Sequence, residues 1–365
     1  GLTIPDGTEG VPCDDGDECL DYGVAKVIVT YEGNCETVQW TSAELEELKD
    51  CLSLIGHWYG GGQQFTEPWP MESNPRIETA YVTSDMLARV WTYGGVSESY
   101  WISSAGISAK VDNTVPLFLS IPDTDGDGTA DEMCFSAKYN EPYVAEASNS
   151  TLQLLYTLCY ADDIRQVYES TFPKYFPYPR DIPDQRMFTH PIWSTWAEYE
   201  SDVNDSRVLD LAQTIIDQGF NNSQIEIDDN WETCYGDAEF NPDRFPDPKV
   251  MVDSLHAMGY RVTLWIHPFI NDDCQSYDYA DQNGFFLKNE TGQTQKTSWW
   301  DGRSSGLIDF TNNEALTWWS LRLANLKAQT GIDSFKFDAG ETSWMPDVYT
   351  LSINKSYWPN GYTTS

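Results

Sequence analysis

Lys336 and Asp338 stand two residues apart at the end of the apolar run Phe335-Lys336-Phe337-Asp338. In an extended chain such residues face one side, so the ammonium and the carboxylate meet. A neighbouring cation keeps a carboxylate ionised, the state a nucleophile needs. The same pair also suits a structural salt bridge at a barrel rim, and spacing alone leaves both readings open. Asp228 and Asp229 close the run QIEI (224–227) in the same way, and His267 follows Leu264-Trp265-Ile266. A charge placed behind a buried apolar strand is costly unless something requires it there. Trp193, Trp196, Trp231, Trp265, Trp299 and Trp300 fall at or just beyond these strand ends. Indole faces stack on the C–H faces of sugars, while carboxylates accept from hydroxyls. A single Trp is more often a core residue. Six in this register, beside carboxylates, suit a sugar pocket and glycosidic chemistry on a pair of carboxylates.

The elements that must position these groups repeat. Three times a helical pattern ends in Gly (Gly219, Gly259, Gly331) and an apolar strand follows, covering 224–231, 260–270 and 332–341. A fourth strand reads over 188–197. Asp247-Pro248 is an N-cap and N1 pair for the second helix, and Thr311 with Glu314 forms a possible capping box for the third. Parallel β/α folds place chemistry at the carboxyl ends of their strands. With no Gly-rich phosphate turn, the pattern predicts a (β/α)8 barrel rather than a doubly wound sheet. Four strands are visible where eight close a barrel, so the chain reads as the first half of one. Ahead of it, 25–33, 78–84, 98–111 and 116–121 alternate like half-buried strands and predict an all-β sandwich. Within that region TSAELEELKDCLSLIG (41–56) reads as a helix. The expected domains are a β-sandwich over 1–172, a proline-rich connection over 173–186 and a partial barrel over 187–365. Residues 271–298, rich in polar residues, read equally as a lid or a solvated loop.

The 365-residue composition narrows the partners. Fifty-eight acidic against 21 basic residues give a net charge of −37, which repels phosphate backbones and anionic membrane surfaces. No apolar run approaches the roughly 18 residues of a membrane span. The eight cysteines lack CxxC spacing, and with four His a zinc site is not expected. An even cysteine count, the acidity and sequons at Asn149, Asn204, Asn221, Asn289 and Asn354 favour the secretory lumen or the extracellular space.

FKFDAGE (335–341), WIHPFI (265–270) and GLIDFTN (306–312) resemble glycoside hydrolase family 31, and PIWSTWAEYE (191–200) with IEIDDNW (225–231) resemble its α-galactosidase-like branch. The resemblance covers roughly 187–350 and rests on several motifs in the expected order. It implies a retaining α-glycosidase in which Asp338 is the nucleophile, with Lys336 beside it. Asp228 or Asp229 would bind sugar hydroxyls, the choice between them being open, and Trp193, Trp265 and Trp300 would wall the subsite. His267 stands where many relatives carry another polar residue. The branch implies an α-galactoside as substrate. The family's acid/base is a second Asp on a later barrel segment. Nothing after Glu341 matches it, and Asp347 lies only nine residues past Asp338, so the chain is expected to be an N-terminal piece with little hydrolytic activity of its own.

Rival readings are a carbohydrate-binding protein or pseudoenzyme without an acid, and a metal-dependent hydrolase using His267 with Asp228, for which His residues are too few. Asp123, Asp125, Asp127 and Asp131 resemble the start of a calcium loop. Position 12 of that loop is Cys134, so the segment reads first as an acidic turn between strands and no cofactor is expected.

Overall fold

The structure, a computed structural model, describes residues 4, 8–66, 69–84, 93–143, 151–340, 342–346 and 348–353. Asn149, Glu341, Asp347 and Asn354 lie outside the described residues. The chain divides into two compact units, the first Gly1–Tyr178 and the second Pro179–Gly340 with Trp344–Ile353. The division falls inside the proline-rich stretch.

The first unit contains twelve described strands: β1 (Val11–Pro12), β2 (Glu18–Asp21), β3 (Lys26–Glu32), β4 (Cys35–Ser42), β5 (Leu48–Ser53), β6 (Trp58–Gly62), β7 (Arg76–Ala80), β8 (Ser97–Ser103), β9 (Ile107–Val111), β10 (Leu117–Ile121), β11 (Glu132–Ala137) and β12 (Leu152–Tyr160). They form one sheet ordered β1-β2-β3-β4-β12-β9-β8-β6 and a second ordered β5-β11-β10-β7. One core joins the two sheets: Trp40, Trp101 and Tyr156 of the first meet Leu48, Leu119 and Phe135 of the second. Phe135 lies 5.5 Å from Trp101 and 5.5 Å from Tyr156, ring to ring. This is the expected β-sandwich.

The helix expected over 41–56 is absent. Ser42 Oγ accepts from the backbone of Glu44 and Leu45 and makes only a turn. Residues 48–53 then pair antiparallel with β11, where Cys51 is disulfide-bonded to Cys134. Sheet pairing overrides a helical polar–apolar pattern whose single long apolar stripe was never secured. A helix not expected, α1 (Ile164–Tyr175), ends the region read as sandwich and runs into the proline-rich stretch, capped by Asp163 and carrying Pro173 in its last turn. All eight cysteines pair, as Cys13–Cys19, Cys35–Cys159, Cys51–Cys134 and Cys234–Cys274.

The second unit is built on a parallel sheet. Its strands are β13 (Ile192–Ser194), β14 (Gln224–Ile227), β15 (Arg261–Ile266) and β19 (Ser334–Phe337), in spatial order β13-β14-β15-β19. Between β15 and β19 lies an antiparallel excursion, β16 (Phe269–Asn271), β17 (Lys296–Trp299) and β18 (Gly302–Leu307). With α6 (Gln275–Gln282), it gives the polar 271–298 stretch regular structure. Two short helices, α2 (Arg186–Thr189) and α3 (Trp196–Tyr199), flank β13, and the crossover helices are α4 (Asp205–Asp217), α5 (Pro248–Ala257) and α7 (Asn313–Thr330). Their signals act largely as read. Asp247 accepts from Val250 N with Pro248 at N1, and Gly331 ends α7 in the left-handed conformation at φ 84°, which glycine adopts without a Cβ penalty. The cap of α7 is Asn312 rather than Thr311, accepting from Glu314 and Ala315 N. Thr311 is diverted, its hydroxyl bonding Asp309. The second unit is thus the first part of a β/α barrel.

Candidate active site

Parallel register places chemistry in rows. Ser194 pairs with Glu226, Glu226 with Thr263 and Thr263 with Ser334; one step along, Trp265 pairs with Lys336. Alternation along β14 sends Glu226 and Asp228 to one face, and along β19 sends Ser334, Lys336 and Asp338 to one face. Lys336 Nζ donates to Asp228 Oδ2 at 2.6 Å and stands 3.6 Å from Asp338 Oδ2. Asp228 is almost wholly buried, while the Lys336 and Asp338 side chains are partly exposed. Burial alone would lower the Lys336 ammonium; the Asp228 hydrogen bond and the charges of Glu226, Asp228 and Asp338 outweigh it and hold the group above its ordinary value.

Asp338 takes a second contact from the neighbouring strand. Trp265 Nε1 donates to Asp338 Oδ2 at 2.8 Å, while Oδ1 accepts from Ala339 N. Directly after it, Ala339 turns the chain at φ 59°, a left-handed conformation that costs a residue with a Cβ about 1 kcal/mol. The carboxylate is thereby held at the strand's end with one oxygen between an indole N–H and an ammonium.

Asp228 and Asp229 are separated by their partners. Asp229 accepts from Tyr235 OH at 2.5 Å and from Trp300 Nε1 at 2.8 Å. Burial pushes its carboxyl up, against those two bonds. Trp300 is otherwise largely exposed and meets Trp196 edge to face at 5.8 Å.

The remaining residues singled out in the sequence are placed differently. His267 is fully buried, its ring 4.2 Å from that of Trp299 and 4.9 Å from that of Trp265. Its Nε2 lies 3.3 Å from Glu232 Oε1. It supports the rings beneath the carboxylates. Trp193 donates to Asn221 O and packs edge to face on Phe220; none of its described contacts is with the carboxylates. Trp231 is buried and donates to Trp265 O at 2.7 Å, bracing that strand end. Three members of the cluster were not singled out in the sequence. Glu226 was open to strand alternation, two residues before Asp228. Tyr235 and Glu232 lie in the following loop, where no period reports direction. In the sandwich, Asp123 accepts from Gly126 and Gly128 N and Asp131 from Thr124, in the turn joining β10 to β11. The carboxylates of Asp123, Asp125 and Asp127 converge there without Asp131.

A parallel β/α sheet with a carboxylate, an ammonium and indoles at its strand ends defines a β/α-barrel protein with a site suited to sugars. Residues 186–363 match the glycosyl hydrolases family 31 TIM-barrel domain, and this part of the chain belongs to that family. The chain is 33% identical to mouse myogenesis-regulating glycosidase, covering 90% of this chain and 47% of the relative. It is 23% identical to alpha-xylosidase XylQ of Lactiplantibacillus pentosus, over 82% of this chain and 38% of that protein. Among solved structures it superposes on a family 31 sulfoquinovosidase from E. rectale with a TM-score of 0.72 at 15% identity, covering 96% of this chain and 53% of the other. The chain therefore spans about half the length of the curated relatives it matches.

Proposed function

We propose that the protein is a retaining α-glycosidase acting on an α-galactoside or related α-glycoside, with Asp338 as nucleophile. The observation that carries this reading is the setting of Asp338: a half-exposed carboxylate at a barrel strand's carboxyl end, within 3.6 Å of Lys336 Nζ and bonded by Trp265 Nε1. Asp338 attacks the anomeric carbon from the face opposite the leaving oxygen; the carbon–oxygen bond breaks and a glycosyl ester forms. A general acid protonates the departing oxygen, and water then cleaves the ester with a second inversion. Asp228 and Asp229, each held by donors of its own, bind hydroxyls. Trp300 offers its exposed ring to the sugar, Trp265 walls the site through the N–H it gives Asp338, and Lys336 balances the carboxylates. His267 acts from behind Trp265, whereas the described contacts of Trp193 are with Phe220 and Asn221. We assign the general acid to none of the carboxylates described above, because Asp228 and Asp229 are committed as acceptors. The four disulfides support a secreted or lumenal setting, with Asn221 the exposed asparagine among the described sequons and the one open to a glycan.

A fluoride leaving group departs without a proton, so a glycosyl fluoride tests the first half-reaction alone. The 365-residue chain is incubated with 5-fluoro-α-D-galactosyl fluoride and with its gluco epimer, and intact mass is followed. Faster covalent gain of one sugar from the galacto reagent is expected. Equal rates would refute the galactoside assignment. Reversible binding of both with no mass gain would favour a sugar-binding protein without hydrolytic chemistry.

A further inference from the structure

Glu226 is buried on β14, one step below Asp228 on the same strand face. Its Oε2 accepts from Ser194 Oγ at 2.5 Å. Its Oε1 is buried and has no hydrogen-bond partner among the described residues. A buried ionised oxygen without a donor is a costly arrangement, and native structures seldom keep one. The group facing Glu226 is the Asp228 carboxylate, itself an acceptor. Two acceptors meet comfortably only if one carries a proton.

The surrounding rows supply no cation of their own to Glu226. β13 presents Ser194, whose hydroxyl is spent on Oε2. β15 presents Thr263, bonded to Ser334 at 2.8 Å and to Gln224 Nε2 at 2.9 Å. β19 presents Lys336, whose ammonium donates to Asp228. Asp228 and Lys336 are thus the charged groups acting on Glu226, with Asp338 beyond Lys336. Three carboxyl groups share one ammonium, and a single proton on Glu226 brings that cluster from two excess negative charges to one.

We propose that Glu226 is a protonated positioning residue whose Oε1–H donates to Asp228, holding Asp228 turned toward Lys336 so that Lys336 stays between Asp228 and Asp338. The proposal rests on the glycosidase reading for its consequence, though not for the proton itself. Burial and the Asp228 carboxylate together push the Glu226 carboxyl up to about 8, against the Ser194 bond. As pH rises through that value the proton leaves, Asp228 loses the donor from Glu226 while keeping Lys336, and a second charge enters the base of the site.

The proton is read directly by infrared spectroscopy on the 365-residue chain at neutral pH. A carboxylic-acid carbonyl band is expected that disappears in Glu226→Gln and that titrates away near pH 8 in the wild type. Absence of any Glu226-dependent acid band at pH 7 overturns the proposal. Positioning is read by the rate of covalent labelling with 5-fluoro-α-D-galactosyl fluoride against pH. The wild-type rate is expected to fall roughly tenfold between pH 7 and pH 9, following the protonated fraction, whereas Glu226→Gln is flat over that range. An unchanged break in Glu226→Gln overturns the positioning role. If Glu226→Gln does not fold, Ser194→Ala serves instead, because losing the Ser194 hydroxyl moves the break to higher pH; a break that stays in place counts against the proposal. If no protein labels at any pH, the glycosidase reading fails, and the infrared result decides the proton on its own.

Discussion

Lys336 and Asp338 leave the same face of β19, and Nζ of the one stands 3.6 Å from Oδ2 of the other. The same ammonium bonds Asp228 at 2.6 Å, so a buried carboxylate and a half-exposed one share a single cation across two strands. The exposed member is free to react, and the buried member fixes the ammonium that serves it.

Replacing Lys336 by Met keeps the stem and removes the charge. Labelling by the galactosyl fluoride is expected to slow by about 100-fold, as when one preorganised electrostatic donor is lost. The folded state should lose about 1–2 kcal/mol in urea unfolding, less than for a fully buried pair because the Lys336 side chain is 41% exposed. Labelling at the wild-type rate would separate Lys336 from the chemistry.

Trp265→Phe keeps an aromatic ring and deletes the N–H aimed at Asp338. A hydrogen bond to a charged group contributes about 1.5–3 kcal/mol, so labelling should slow by about 10–100-fold. Binding of a neutral sugar, followed by calorimetry, should change far less. An equal loss in both measurements would make the indole a binding wall alone.

Glu226 links stability to pH. Its carboxyl sits near 8 in the folded chain against 4.5 ordinarily, so between those values the native state holds a proton the unfolded state has released. Its contribution is therefore fully present below about pH 4.5 and is lost as pH rises through about 8. At about 1.4 kcal/mol per unit, the difference between wild type and Glu226→Gln should change by a few kcal/mol over that window. Parallel stability–pH curves for the two proteins would contradict the assignment.

In the sandwich, Cys35–Cys159 closes a sequence separation of 124 residues between the paired strands β4 and β12. Substituting both by Ser is expected to cost about 4–5 kcal/mol by relaxing the unfolded chain. Urea unfolding under oxidising conditions checks this, and a loss below about 1 kcal/mol would show that sheet pairing carries the contact.

The parts of the molecule governed by local pattern were legible. Gly219, Gly259 and Gly331 stop helices, Asp247-Pro248 starts one, and the apolar strands that follow end in Asp228, His267 and Asp338. Alternation along β19 placed Lys336 with Asp338 because two residues on one strand need no knowledge of the fold. Long-range competition was not legible. Residues 41–56 carry helix-like polarity, yet β11 and Cys134 draw 48–53 into a sheet. Asp228 and Asp229 could not be told apart because their distinction is made by Lys336 from one strand and by Tyr235 and Trp300 from two loops. Trp193 and Trp265 look alike as strand-end indoles. Only the packing of Phe220 and Asn221 sends the first elsewhere.

The most direct test of the account is to digest the chain after labelling with 5-fluoro-α-D-galactosyl fluoride and to locate the sugar by peptide mass spectrometry. A single galactosyl ester on Asp338, absent from Asp338→Asn, is expected. A label on Asp228, Asp229 or any other residue, with Asp338 unmodified, would contradict it.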